Sequence, residues 1–154
     1  MKRFFTVLTC VLLFGLFSCE SDREERRDTN NFLGNKSVNF SLNLNLPQYA
    51  NLKDFPGTKL IIPDKANFIE GVYIEAASSS IFLVYELAEP NHPFGSCSIP
   101  TIETIKANKG RFAYTCGEEK IVYDALGNKI DGKEGFPLRR YNAVRSGSTL
   151  NISF

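Results

Sequence analysis

The chain has 154 residues, 43% of them hydrophobic, with 18 basic and 17 acidic side chains and a formal charge of +1. That length supports one domain with a real core. The near-balance of charge gives no electrostatic reason to expect nucleic-acid binding, which draws on an excess of basic side chains.

Lys2 and Arg3 precede an apolar run from Phe4 to Phe17, 14 residues long. A bilayer crossing takes about 20 residues. The stretch is therefore read as a secretory signal, residues 1–18, and not as a transmembrane helix. The quartet Leu16-Phe17-Ser18-Cys19 resembles a bacterial lipobox. The resemblance implies that Cys19 becomes the first residue of the mature chain and carries acyl chains such as palmitate. Each buried methylene adds about 0.8 kcal/mol of membrane affinity, and two or more chains hold stably without a spanning helix. Loss of Lys2 and Arg3 with the signal leaves a net charge of about −1, again offering nucleic acid nothing.

Residues 19–36 are read as a disordered charged tether. Glu20 to Asp28 is almost entirely charged, and Asn30, Asn31, Gly34 and Asn35 follow. Such a segment buries too little apolar surface to offset its ordering entropy. Acids just after a lipid-bearing cysteine resemble the surface-export signals of Bacteroidetes lipoproteins. That resemblance implies a cell-envelope lipoprotein of the outer membrane, with the periplasmic and outward faces both open.

The domain is expected over residues 37–154. Val38, Phe40, Leu42, Leu44 and Leu46 alternate with polar residues, the period of a strand with one buried face. Pro47 is expected to end it, having no N–H for a ladder. Further strands are expected at 59–62, 71–76, 81–87, 111–115, 121–123, 139–144 and 149–154. Ser78-Ser79-Ser80 reads as a hairpin turn, and Gly127 and Gly147 sit in turn sequences. No stretch shows helical periodicity over three turns. Short strands at this spacing predict an all-β fold, an antiparallel sandwich or barrel. Of four cysteines, Cys10 leaves with the signal and Cys19 is assigned to lipid. Cys97 and Cys116 remain in an exported chain, so a disulfide is expected.

The segment from Tyr85 to Cys97 resembles the first cluster-binding loop of a Rieske protein, and Phe112 to Lys120 resembles the second. Phe136-Pro137-Leu138-Arg139-Arg140-Tyr141 resembles the segment that follows in that family. Leu44 to Tyr49 resembles Rieske-like lipoproteins of Bacteroidetes. The resemblance implies a β-sandwich with a small subdomain of loops braced by a non-ligand disulfide, here Cys97–Cys116. It also implies a two-iron, two-sulfur cluster held by two cysteines and two histidines. This chain has one histidine. Glu89 and Tyr114 fall at the ligand-cysteine positions and Gly117 at the second histidine, which leaves His92 alone. The resemblance is thus to a degenerate member with its cluster ligands not retained.

Other chemistry has weaker support. His92 with Glu89, Glu118 and Glu119 could take a divalent metal, but a loop histidine among acids is read as a solvated loop. No Gly-x-Ser-x-Gly elbow exists, and Cys97 and Cys116 are too far apart for a Cys-x-x-Cys redox pair. The expectation is a non-catalytic binding or structural module, not an enzyme, without metal or cofactor. It has a lipid anchor and room for an envelope protein partner. Its ligand-bearing tip is expected at Glu89, His92, Phe94, Tyr114 and Gly117, with His92, Phe94 and Tyr114 supplying contacts. The alternative is an iron–sulfur electron-transfer protein with non-standard ligands.

Overall fold

A computed structural model of the chain describes residues 32–102, 111–131 and 134–154. The signal, Cys19 and most of the tether lie outside the described residues. Among the described residues the fold is antiparallel β, apart from one short helix. Its elements are β1 (Asn39–Asn43), α1 (Ala50–Asp54), β2 (Lys59–Ile62), β3 (Val72–Ala76), β4 (Phe82–Glu86), β5 (Thr101–Ile102), β6 (Phe112–Cys116), β7 (Glu119–Tyr123), β8 (Asn142–Ser146) and β9 (Thr149–Ser153). They form three sheets of three strands each, in the orders β1-β9-β8, β2-β3-β4 and β5-β6-β7.

The sheet β2-β3-β4 lies in the middle of the stack. One face of it, with Val72, Ile74, Ala76, Phe82 and Val84, packs against Leu42, Leu150 and Ile152 of the first sheet. The opposite face, with Tyr73 and Tyr85, packs against Phe112, Tyr114, Ile121 and Tyr123 of the third. All five residues of β3 are buried for this reason. A strand covered on both sides reads as a continuous apolar run, not as an alternation. The second core is rich in rings: Phe112 meets Tyr73 and Tyr85 edge-on, with centroids 5.0 and 5.5 Å apart. Such pairs contribute about 0.5–1.5 kcal/mol beyond the area they bury.

Two local features tighten the middle sheet. The Ser78–Ser80 turn closes as expected, with the Ala77 N–H donating to the Ile81 carbonyl at 2.9 Å. Gly71, just before β3, has φ +142°, and a Cβ there would lie 2.4 Å from the Ile62 carbonyl oxygen. No larger residue fits that approach. The segment before β8 fastens the first sheet to β4 through Glu86 N–H to Arg139 O at 3.0 Å and Tyr141 N–H to Val84 O at 2.9 Å.

Two expectations need correction. The tether does not run to residue 36. Leu33 is buried, the Lys36 ammonium donates to the carbonyls of Lys65 and Ala66 at 3.0 and 3.2 Å, and Arg139 donates to the carbonyls of Leu33 and Gly34. A leucine and charge-assisted bonds anchor this piece, whatever the charge run before it does. The first strand ends at Asn43, not at Pro47. Asn43 turns the chain itself, its side-chain oxygen accepting the Asn45 N–H at 3.0 Å and its carbonyl the Leu46 N–H at 3.2 Å. Asn competes with the ladder in this way. The short helix α1 agrees with the expectation of no helical period over three turns: it is one turn carrying a single buried residue, Leu52.

The buried tyrosines give the domain an alkaline limit. Burial pushes the Tyr73 phenol up to about 12 and holds Tyr85, Tyr114, Tyr123 and Tyr141 above the ordinary value as well. In the unfolded chain these phenols ionise near 10, so above that pH the unfolded state binds fewer protons than the native one. Stability is therefore complete below about pH 10 and falls as pH rises toward 12, by up to about 1.4 kcal/mol per pH unit for each such tyrosine. Urea midpoints between pH 8 and 12 should stay level and then drop. A flat profile to pH 12 would show that these rings ionise in place.

Candidate functional site

The site grows from the end of β4. Glu86 is 1% exposed, and its carboxylate accepts the N–H groups of Ile69, Glu70, Gly71 and Ala88 at 2.9, 2.9, 3.2 and 3.1 Å. The Tyr141 hydroxyl donates to it too. These bonds pin the loop before β3 and the chain leaving β4 to one point. Three residues on, Glu89 is buried and repeats the device. Its carboxylate accepts the Asn91 N–H at 2.8 Å and the Tyr123 hydroxyl, and its Oε2 lies 2.8 Å from His92 Nδ1. Asn91 carries the network outward. Its amide donates to the Tyr123 oxygen at 2.9 Å and the Phe136 carbonyl at 3.0 Å, and its Oδ1 accepts the Phe136 N–H at 2.6 Å.

Across from this loop, β6 and β7 form a tight hairpin. Cys116 ends β6 and is bonded to Cys97, with Cα atoms 4.1 Å apart. The Ser98 N–H donates to the Thr115 carbonyl at 2.9 Å, so the two loops are also laced by backbone. The hairpin turn is Gly117-Glu118, and Gly117 has φ +62° with open space around it. Such a two-residue turn needs positive φ, which glycine adopts without strain. On the far side of His92, Nε2 lies 3.5 Å from Glu119 Oε2 at the start of β7.

The expected tip residues therefore part ways. Glu89, His92, Cys97 and Cys116 are brought together, each offering one donor atom, with all four atoms within 4.8 Å of one another. Phe94 is 57% exposed, its ring 5.6 Å from the Lys65 ammonium, and it edges a small hollow beside Glu89 and Cys97. Tyr114 is fully buried between β7 and the middle sheet, so it supplies no contact to a ligand from solvent, contrary to expectation. Its hydroxyl has no hydrogen-bond partner among the described residues. Burial, with the Glu89 and Glu86 carboxylates nearby, holds its phenol well above the ordinary range. Gly117 is a turn former. Glu118 is exposed in the same turn, whereas Glu119 reaches His92.

Two residues of the site escaped sequence reasoning. Glu86 had a legible signal, a carboxylate inside an otherwise apolar strand. Asn91 had none, because its partner Phe136 is 45 residues away. The hollow beside Glu89, Pro93, Phe94 and Cys97 has a cavity volume of about 10 Å³. That is room for about one water, against the roughly 300–1,000 Å³ of small-molecule pockets.

The two-iron cluster that the resemblance implies does not fit these residues. Both sulfurs at the tip are bonded to each other, one imidazole is present, and Glu89, Tyr114 and Gly117 add neither thiolate nor imidazole. Among the described residues no helix is long and apolar enough to cross a membrane. Comparison with family profiles, curated proteins and solved structures finds no match to the chain.

Proposed function

We propose that this chain is an outer-membrane lipoprotein whose cluster-free, Rieske-like β-domain serves as a non-catalytic binding or structural module of the cell envelope. The tip carries the reading. Two loops are braced by Cys97–Cys116 and by the Glu89–Asn91–Tyr123 network, and the donors left over cannot hold an iron–sulfur cluster. The layered antiparallel sheets with a small disulfide-bearing sheet are the architecture expected of such a domain. The N-terminal sequence supports the anchor: a signal too short to span, then Cys19 at a lipobox-like junction. A folded surface on a lipid tether suits docking to an envelope partner, since fold alone dictates no chemistry.

The test is expression of the full chain with its own signal in an iron-sufficient host. The protein should collect in the outer-membrane fraction, and purified in detergent it should be colourless and free of iron. Cys19→Ala should abolish acyl labelling and membrane retention. Visible absorbance with about two irons per chain would instead establish electron transfer. Retention of the Cys19→Ala protein by the membrane would remove the lipoprotein reading.

A further inference from the structure

We infer that reduction of the Cys97–Cys116 bridge converts the tip into a mononuclear zinc site with Glu89, His92, Cys97 and Cys116 as ligands. The four donor atoms already lie within 4.8 Å of one another. They come from two loops that the rest of the fold holds in place. Two thiolates, one imidazole and one carboxylate are a donor set that zinc accepts in tetrahedral form, at about 2.3 Å from sulfur and about 2.0–2.2 Å from nitrogen and oxygen.

The distances support this choice. His92 Nδ1 and Glu89 Oε2 are 2.8 Å apart. The matching edge of a zinc tetrahedron is about 3.4 Å, and the sulfur–sulfur edge about 3.8 Å. The first pair needs a shift of about half an ångström. The ion then replaces the proton that the two atoms share. The second pair separates once its covalent bond is gone, and Cα atoms 4.1 Å apart leave both side chains within reach of one ion. With Nδ1 on the metal, the histidine proton moves to Nε2, which faces Glu119 Oε2 at 3.5 Å. A carboxylate behind a ligating histidine fixes its tautomer and ring orientation, and Asn91 N–H and Tyr123 O–H orient Glu89 in the same way. The adjoining hollow of about 10 Å³ suits a single small occupant and no organic ligand.

The redox step balances with a dithiol as reductant. Its thiolate attacks Sγ of Cys97, the less buried of the two cysteines, and the S–S electron pair leaves on Cys116 Sγ. The reductant's second thiol then attacks its own sulfur in the mixed disulfide. This releases the Cys97 thiolate and the oxidised, disulfide form of the reductant. Two electrons enter the protein, and zinc holds both sulfurs as thiolates in place of two protons. Disulfide and zinc exclude each other, so zinc must raise the midpoint potential of the bridge. Once zinc exceeds its dissociation constant, each tenfold rise should add about 30 mV for this two-electron couple.

The experiment is a dithiol–disulfide redox titration of the full chain in detergent at a series of free zinc concentrations. Cobalt(II) absorption provides a second readout. The reduced protein should take up one cobalt with tetrahedral and thiolate charge-transfer bands, and the oxidised protein none. His92→Gln and Glu89→Gln should each weaken uptake tenfold or more. Glu118→Gln, in the exposed turn, should change nothing. A potential independent of zinc, uptake unaltered by either ligand variant, or a reduced protein that loses its near-ultraviolet circular dichroism and does not regain it with zinc would each overturn the inference. Iron in the oxidised protein would overturn the function proposed above. That measurement is separate from the zinc titration, so the two readings fail independently.

Discussion

Replacing Cys97 and Cys116 together by alanine should lower the stability of the domain by about 2–5 kcal/mol, as for other small domains that lose a native bridge. The bridge joins residues 19 apart in sequence. In the chain-entropy account, a closed loop of this size restricts the unfolded chain by roughly 3 kcal/mol. The native tip loses less, because other bonds persist across it. Ser98 N–H still reaches the Thr115 carbonyl, Thr115 N–H the Ser98 hydroxyl, and Asn91 still holds Phe136. The loss therefore acts mainly on the unfolded state. Urea unfolding should show a lower midpoint, with native circular dichroism retained below it. A loss under about 1 kcal/mol would mean that residual structure in the unfolded chain already closes this loop.

Glu86→Ala should be comparably damaging, at about 3–5 kcal/mol, because the carboxylate is buried and satisfies buried donors. The carboxylate is the common acceptor of four N–H groups and the Tyr141 hydroxyl. Each buried donor left without an acceptor costs about 1–3 kcal/mol, and water entering the space recovers part of the sum. Glu86→Gln should cost less, about 1–3 kcal/mol, because one oxygen can still serve one cluster of donors while the new amide meets the other. The ordering Ala worse than Gln in chemical denaturation is the check. If Glu86→Ala falls within about 1 kcal/mol of wild type, these backbone groups have found other partners and the carboxylate does not organise the loop.

Much of the fold was legible. The expected strands at 71–76 and 81–87, with the Ser78–Ser80 hairpin between them, lie within a residue of those found, whereas the alternation from Val38 to Leu46 gave a strand that stops three residues early, at Asn43. Local features set local structure, so a local reading succeeds. What escaped reading depends on distant partners. Nothing near Leu33 reveals that Arg139 will grip its carbonyl, and nothing near Asn91 reveals Phe136. The layering is likewise invisible locally, because a run such as Val72 to Ala76 shows that both faces are covered but not by what. At the tip, the pairing of Cys97 with Cys116 was legible from a count of cysteines in an exported chain. The inward turn of Tyr114 was not, since alternation along a strand covered on both faces does not say which face meets water.

The middle sheet is a party wall between two rooms. Tyr73 and Tyr85 line one room, Val72, Ile74 and Val84 the other, and the same backbone carries both sets. Neither room can be emptied without stripping a face of the wall. The tip is therefore not a detachable appendage. Its exposed tenants, Phe94 and Glu118, can be exchanged from the open side with little effect on the masonry. Any change to the wall reaches both rooms together.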